Sequence, residues 1–116
     1  MEICGKGFWI QSEKESFIQV RLDIYSNRYN FLVFSNRNKV KGSPDFFVKN
    51  KNISTGEYQI IGKGWIVDTG RIRFVRISVS INGKLYPLLM FKKAEDLKTI
   101  PQGEHNYNVV LKRRVK

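Results

Sequence analysis

The chain has 116 residues, enough for one domain with a packed core and too few for two of ordinary size. Apolar residues make up 41%, which excludes a disordered tail, and Lys plus Arg number 21 against 10 for Asp plus Glu. The resulting net charge of +11 favours a polyanionic partner (nucleic acid, an anionic membrane surface or an acidic protein), with mere solubility as the plainer account.

Along the chain, apolar residues recur with period two rather than 3.6. The opening "GKGFWIQSEKES" (5–16) is too polar for the apolar region of a signal peptide. "FIQVRLDIY" (17–25) puts Ile18, Val20, Leu22 and Ile24 on one face and Phe17, Gln19, Arg21, Asp23 and Tyr25 on the other. "YNFLVF" (29–34) is β-branched and aromatic throughout, as in a strand covered on both faces. "DFFVK" (45–49), "EYQIIGKGWIV" (57–67), "KLYPLLMF" (84–91) and "YNVVLK" (107–112) also read as strands, separated by the turn segments "SNRYN", "KGSPD", "VDTG", "SING" and "PQG". Pro87 predicts an edge or a bulge in its strand. Only "KKAEDLKTI" (92–100) has the composition of a short helix. The fold class is all-β: a small antiparallel barrel or sandwich of about eight strands in one domain, 1–116.

The chain also repeats itself. Under an ungapped shift of 57 residues, Gly5, Lys6, Gly7, Phe17, Ile24, Tyr29, Leu32 and Phe34 meet identical residues at 62, 63, 64, 74, 81, 86, 89 and 91. Phe8 meets Trp65, and Pro44 meets Pro101. An insertion of about six residues then aligns "FFVK" (46–49) with "VVLK" (109–112). The expectation is two similar four-stranded halves, approximately 1–57 and 58–116, closing around a pseudo-twofold axis. The alternative is a likeness common to all β-hairpins. The shift also settles a phase. "RIRFVRISVSING" (71–83) loses its alternation at Phe74–Val75, but Val75, Ile77, Val79 and Ile81 fall on Ile18, Val20, Leu22 and Ile24. An unbulged strand follows, with Phe74 and Arg76 pointing outward.

Chemistry is sparsely supplied. Cys4 is the only cysteine, so no internal disulfide and no thiolate metal site can be built, and the carboxylates show no metal-ligand spacing. His105 beside Glu104 is the one candidate general base, for a small nuclease. Gly5-Lys6-Gly7 and Gly62-Lys63-Gly64 lack the phosphate-loop pattern and suit sharp bends or close backbone approach instead. Binding is better supplied. Aromatics make up 13% of the chain, and many stand among cations. Trp9, Phe17, Tyr25, Trp65 and Phe74 are the stacking candidates, and Lys6, Arg21, Lys63, Arg71, Arg73 and Arg76 the phosphate candidates. Rings interleaved with Lys and Arg on a sheet suit single-stranded nucleic acid. "NRNKVKG", "KNKN" and the tail "LKRRVK" (111–116) would add sequence-independent phosphate contacts.

"SPDFFV" (43–48), "GKGW" (62–65), "RISVSI" (76–81) and "YNVVLKR" (107–113) follow an order that resembles a family of small proteins of unknown function carried by plasmids and conjugative elements. The resemblance implies a mobile-element setting and a small β-fold, and supplies no functional residues. The duplicated layout is also similar in outline to the PC4-like and Whirly single-stranded DNA binders. Those carry a long helix after each four-stranded sheet, which this chain lacks. The expected function is therefore non-enzymatic binding of single-stranded nucleic acid, DNA ahead of RNA, with little sequence preference. A protein-interaction or assembly module of a virus or mobile element is the alternative, and a small nuclease the third reading. The expected setting is the cytoplasm, or the host cytoplasm for a viral or plasmid product. No cofactor, metal or membrane partner is expected, and the state is a pseudo-twofold monomer or a homodimer.

Overall fold

A computed structural model describes residues 3–112. The basic tail from Arg113 onward lies outside the described residues. Eight strands follow in chain order: β1 (Ile3–Gln11), β2 (Ser16–Ile24), β3 (Asn27–Ser35), β4 (Phe46–Lys51), β5 (Tyr58–Asp68), β6 (Arg73–Ile81), β7 (Lys84–Lys92) and β8 (Tyr107–Leu111). Each pairs antiparallel with the next, and β8 pairs with β1, so the sheet closes into a barrel. This decides between barrel and sandwich, which the alternation alone leaves open.

The inward positions are those the alternation assigns. Val20, Leu22, Val48, Val79, Leu88 and Val109 are 0% exposed, and Ile77, Met90 and Val33 are 1% exposed. Eight strands leave an interior just wide enough for such side chains to fill. β6 runs without a register break, pairing Ile77 with Gly64 on one side and with Leu88 on the other. Phe74 stays half-buried on the outer face. In β3, Phe31 and Val33 face inward while Phe34 points outward, yet is only 7% exposed because the Phe17 and Tyr58 rings lie against it.

The strand registers repeat across the chain. Gly5 pairs with Leu22 and Gly7 with Val20; 57 residues on, Gly62 pairs with Val79 and Gly64 with Ile77. Phe17 pairs with Phe34, and the equivalent Phe74 and Phe91 stack at 5.2 Å between centroids. The tight turns repeat too. Tyr25–Ser26 (φ 50° and 66°) and Asn82–Gly83 (φ 51° and 78°) both have the positive φ pair of a type I′ turn, which matches strand twist. Phe47 faces Phe34 as Asn108 faces Phe91, so the last strands correspond at a shift of 61. The insertion is therefore four residues, not six, and Tyr107 rather than Val109 is the counterpart of Phe46.

One further expectation fails and another is met. "KKAEDLKTI" forms no α-helix: Lys92 completes β7, and only Leu97–Thr99 makes a single 3-10 turn. The few residues left before Pro101 cannot offset the cost of helix nucleation. Pro87 makes no bulge, because β7 stays in register with β6 through Ser78, and it stands where β7 runs past its pairing with β8, a local edge of the closed sheet. Its carbonyl accepts the Lys112 N–H at 2.9 Å, so the missing Pro87 N–H points to where β8 ends and costs no bond to β6.

Closure depends on two inward glycines. A Cβ on Gly5 would stand 2.6 Å from the Arg21 carbonyl oxygen, and one on Gly62 only 2.3 Å from that of Ser78. Beside each glycine the register slips by one residue: at Cys4 against β8, and at Ile61 against β4. Bulges of this kind sharpen strand coiling, and side-chain-free positions let the coiled strand lie on its neighbour. Gly62→Ala is expected to cost about 3 kcal/mol, at the upper end for forced overpacking. Gly64→Ala, whose Cβ would meet nothing closer than 3.3 Å, is expected to cost about 1 kcal/mol. Urea unfolding of both variants measures this, and equal losses would refute the close-approach account.

Candidate nucleic-acid interface

The outward side chains form rows that run around the barrel from strand to strand. One row joins Ile10, Phe17, Phe34 and Phe47 to Lys63, through the registers of β1 to β5. Its counterpart joins Val67 to Phe74 in register, Phe74 to Phe91 by ring contact just beyond the β6–β7 ladder, and Phe91 through Asn108 to Lys6 and Arg21 in register. Neighbours in a row stand about 4.8 Å apart, the strand spacing. The Phe17 and Phe34 rings are 5.3 Å apart at 35°, the same tilt as Phe74 on Phe91.

Cations sit over several of these rings. Arg21 Cζ lies 5.0 Å from the Phe8 centroid and Arg76 Cζ 5.7 Å from that of Trp65, whose residue it faces in register. Lys49 Nζ lies 5.0 Å from the Phe34 ring and Lys51 Nζ 5.9 Å from the Tyr58 ring. Such pairs hold a guanidinium or ammonium at the ring face while leaving its other donors to solvent or ligand.

The predicted residues divide among three places. Lys6, Phe17, Arg21, Lys63, Trp65, Phe74 and Arg76 are on the outer wall, but β2 and β6 lie on opposite sides of the barrel, so Phe17 and Phe74 belong to separate surfaces. Tyr25 is not on the wall with Phe17. It occupies the β2–β3 turn at the far end, 75% exposed, with Lys84 Nζ 6.0 Å from its ring. Trp9 faces inward, in register with Ile18 and packed against the core at the opposite, open end of the barrel. Arg71 and Arg73 stand at that same open end, Arg73 on the inward phase of β6 beyond Val75. Phe8, Phe34, Phe47, Phe91, Tyr58, Lys49 and Lys51 were not among the candidates. The 57-residue shift already pairs Phe34 with Phe91, the signal that singles out these two rings.

His105 is committed to packing contacts. Its Nε2 is 2.9 Å from Asn108 Oδ1 and its ring meets Phe8 edge-on at 6.4 Å, while Glu104 lies 3.8 Å from Lys93. Burial pushes the Cys4 thiol and the Tyr107 hydroxyl above their ordinary values.

The open end is held by two equivalent clamps. Asp45 donates its N–H to Gly64 O (2.9 Å) and accepts the Ile66 N–H on its carboxylate (2.8 Å). Asn106 donates to Gly7 O (2.8 Å) and accepts the Trp9 N–H on its amide oxygen (2.8 Å). Asp45 is bonded to Lys39 as well, and the Lys39 ammonium followed by the Ile66 N–H holds its carboxyl below the ordinary 3.8. A carboxylate favoured by folding stabilises the protein above its unfolded pKa, and that contribution disappears as pH falls through the lower folded value. Asp45→Asn is therefore expected to melt below wild type at neutral pH and to close that gap below about pH 3.8. Thermal melts across pH 2–7 read this, and a gap independent of pH would show that the charge is not what the clamp uses.

The chain matches no protein-family model, no curated protein and no solved structure.

Proposed function

We propose that the protein binds single-stranded nucleic acid on the outer wall of the barrel, without catalysis, DNA ahead of RNA and with little sequence preference. One observation carries the reading: both halves present outward rings bordered by cations, Phe47 facing Lys63 with Lys49 over the neighbouring Phe34, and Trp65 facing Arg76, two residues along β6 from Phe74. Bases stack on exposed ring faces whatever their identity, and the cations beside them follow the phosphates. The net charge of +11 supports the same reading. Duplex reading would call for a helix or ribbon shaped to the major groove. The described residues hold no helix beyond one 3-10 turn. Relative to the candidates first singled out, the wall gains Phe47, Phe91 and Lys49 and loses the inward Trp9, the turn residue Tyr25, and Arg71 and Arg73 at the open end.

A fluorescent oligothymidylate of about twenty nucleotides is expected to bind at low salt and to be released steeply as salt rises. Phe74→Ala and Phe17→Ala are each expected to weaken binding by about 1–3 kcal/mol, while Arg21→Ala lowers the salt slope by roughly one. Anisotropy titrations measure all three, and no binding below about 100 μM at low salt would overturn the proposal.

A second reading rests on a different observation. Ile60 and Leu85, 55% and 58% exposed, flank Trp65 in an outer groove of about 340 Å³. Apolar exposure of this kind fits a protein partner, including a second copy, as in an assembly module of a virus or mobile element. Light scattering after size exclusion at several salt concentrations separates the two. A salt-insensitive oligomer without oligonucleotide affinity selects the interaction module.

A further inference from the structure

The open end of the barrel is a bowl of about 880 Å³, within the range of small-molecule sites, ~300–1,000 Å³. Its floor is apolar and aromatic: Trp9, Phe46 and Tyr107, over Ile18, Val33 and Met90. Below that layer the interior is filled, with Val20, Leu88 and Ile77 at 0–1% exposure. From Trp9 to the 12–15 loop is only three residues, about 10 Å of strand rise. A long acyl chain has nowhere to go, whereas a flat ring fits.

The rim is cationic on one side. Arg73 and Lys92 both line the bowl, and the register that pairs Val75 with Met90 brings them to facing positions two residues further on. Like charges facing across a strand pair destabilise each other. Arg71 stands beside them on the 69–72 loop. Among the described residues, none of the three has a carboxylate within ion-pairing distance. Carboxylates stand near without pairing with them: Asp68 faces Arg73 in the β5–β6 register and accepts the Gly70 N–H at 2.9 Å, Asp45 feels the Arg73 charge but holds Lys39, and Glu95 lines the bowl. In the other half, the positions equivalent to Arg73 and Lys92 are Ser16 and Ser35, which also line the bowl. The cations appear where the two halves depart from one another.

We propose that this bowl holds a single nucleotide, its base on Trp9, Phe46 and Tyr107 and its phosphate between Arg73, Lys92 and Arg71. The inference rests on the nucleic-acid reading and deepens it: the nucleotide is either free or the phosphorylated end of a strand whose body lies on the wall. An anion between Arg73 and Lys92 removes their repulsion, and the neighbouring floor supplies the stacking that free phosphate cannot use.

The two tryptophans allow the bowl and the wall to be read separately. In Trp65→Phe, Trp9 is the sole tryptophan and reports the bowl. Thymidine monophosphate is expected to change its emission saturably, with thymidine binding roughly tenfold more weakly for want of the phosphate. Replacing both rim cations, Arg73→Ser with Lys92→Ser, is expected to weaken the nucleotide at least about tenfold, while Lys92→Ser alone, which removes the like-charge neighbour of Arg73, does not lower the melting temperature. A 5′-phosphorylated oligothymidylate that moves Trp9 more than its unphosphorylated form identifies a strand end as the source. An equal response to both, with saturation by the mononucleotide, identifies the free nucleotide. No Trp9 response to about 10 mM mononucleotide, with oligonucleotide still bound by anisotropy, overturns the bowl and leaves the wall standing. Laurate binding as tightly as the mononucleotide overturns the choice of ligand. A Trp9 response without oligonucleotide binding overturns the wall alone.

Discussion

The constraint on which this structure depends is the contact between a bare inward backbone and a neighbouring carbonyl, at Gly5 over Arg21 and at Gly62 over Ser78. Each contact sits beside a one-residue register slip, and together they coil β1 and β5 tightly enough for eight strands to close. They also fix which residues see solvent. With Gly5, Gly7 and Trp9 inward, Lys6 and Phe8 must point out; with Gly62 and Gly64 inward, so must Lys63 and Trp65. The outer wall and the floor of the open end are therefore consequences of where two glycines stand.

The halves agree in backbone and differ in charge. The type I′ turns, the Phe17–Phe34 and Phe74–Phe91 pairs and the two clamps at the open end follow one plan. Against that, Arg21 answers to Ser78, Asp45 to Asn106, and Ser16 and Ser35 to Arg73 and Lys92. Packing requires the shared features and does not require the charged differences. Positions where a near-symmetric fold becomes asymmetric in charge are natural places to look for what it binds.

Much of the fold was legible in the sequence because burial imposes alternation. β2 alternates without a break, and β6 becomes unambiguous once laid over it. The face of Trp9 was not legible: "GKGFWIQ" has no alternation of apolar and polar residues, and the slip at Cys4 resets its phase. Tyr25 was misplaced because a Tyr-Ser pair carries none of the Asn-Gly chemistry that marks a type I′ turn, although the shift sets it over Asn82–Gly83. Closure itself is a pairing of the first strand with the last, which no local pattern encodes. The same limit hid the open end, where Trp9, Phe46, Arg73, Lys92 and Tyr107 arrive from five different strands.

The seam between β1 and β8 has a consequence for how this molecule can be recognised. Among the described residues every strand pairs on both sides over part of its length, so only short stretches such as Asn27–Phe31, beyond the pairing of β3 with β4, are left to a ninth strand. Association is left chiefly to side chains, and a surface of that kind is rewritten one residue at a time without disturbing the scaffold. The protection is conditional, however. The seam joins segments about a hundred residues apart, so it closes late, and until Val109 reaches Gly5 both β1 and β8 are open templates. A lesion at the seam would thus show itself first as self-association of the chain.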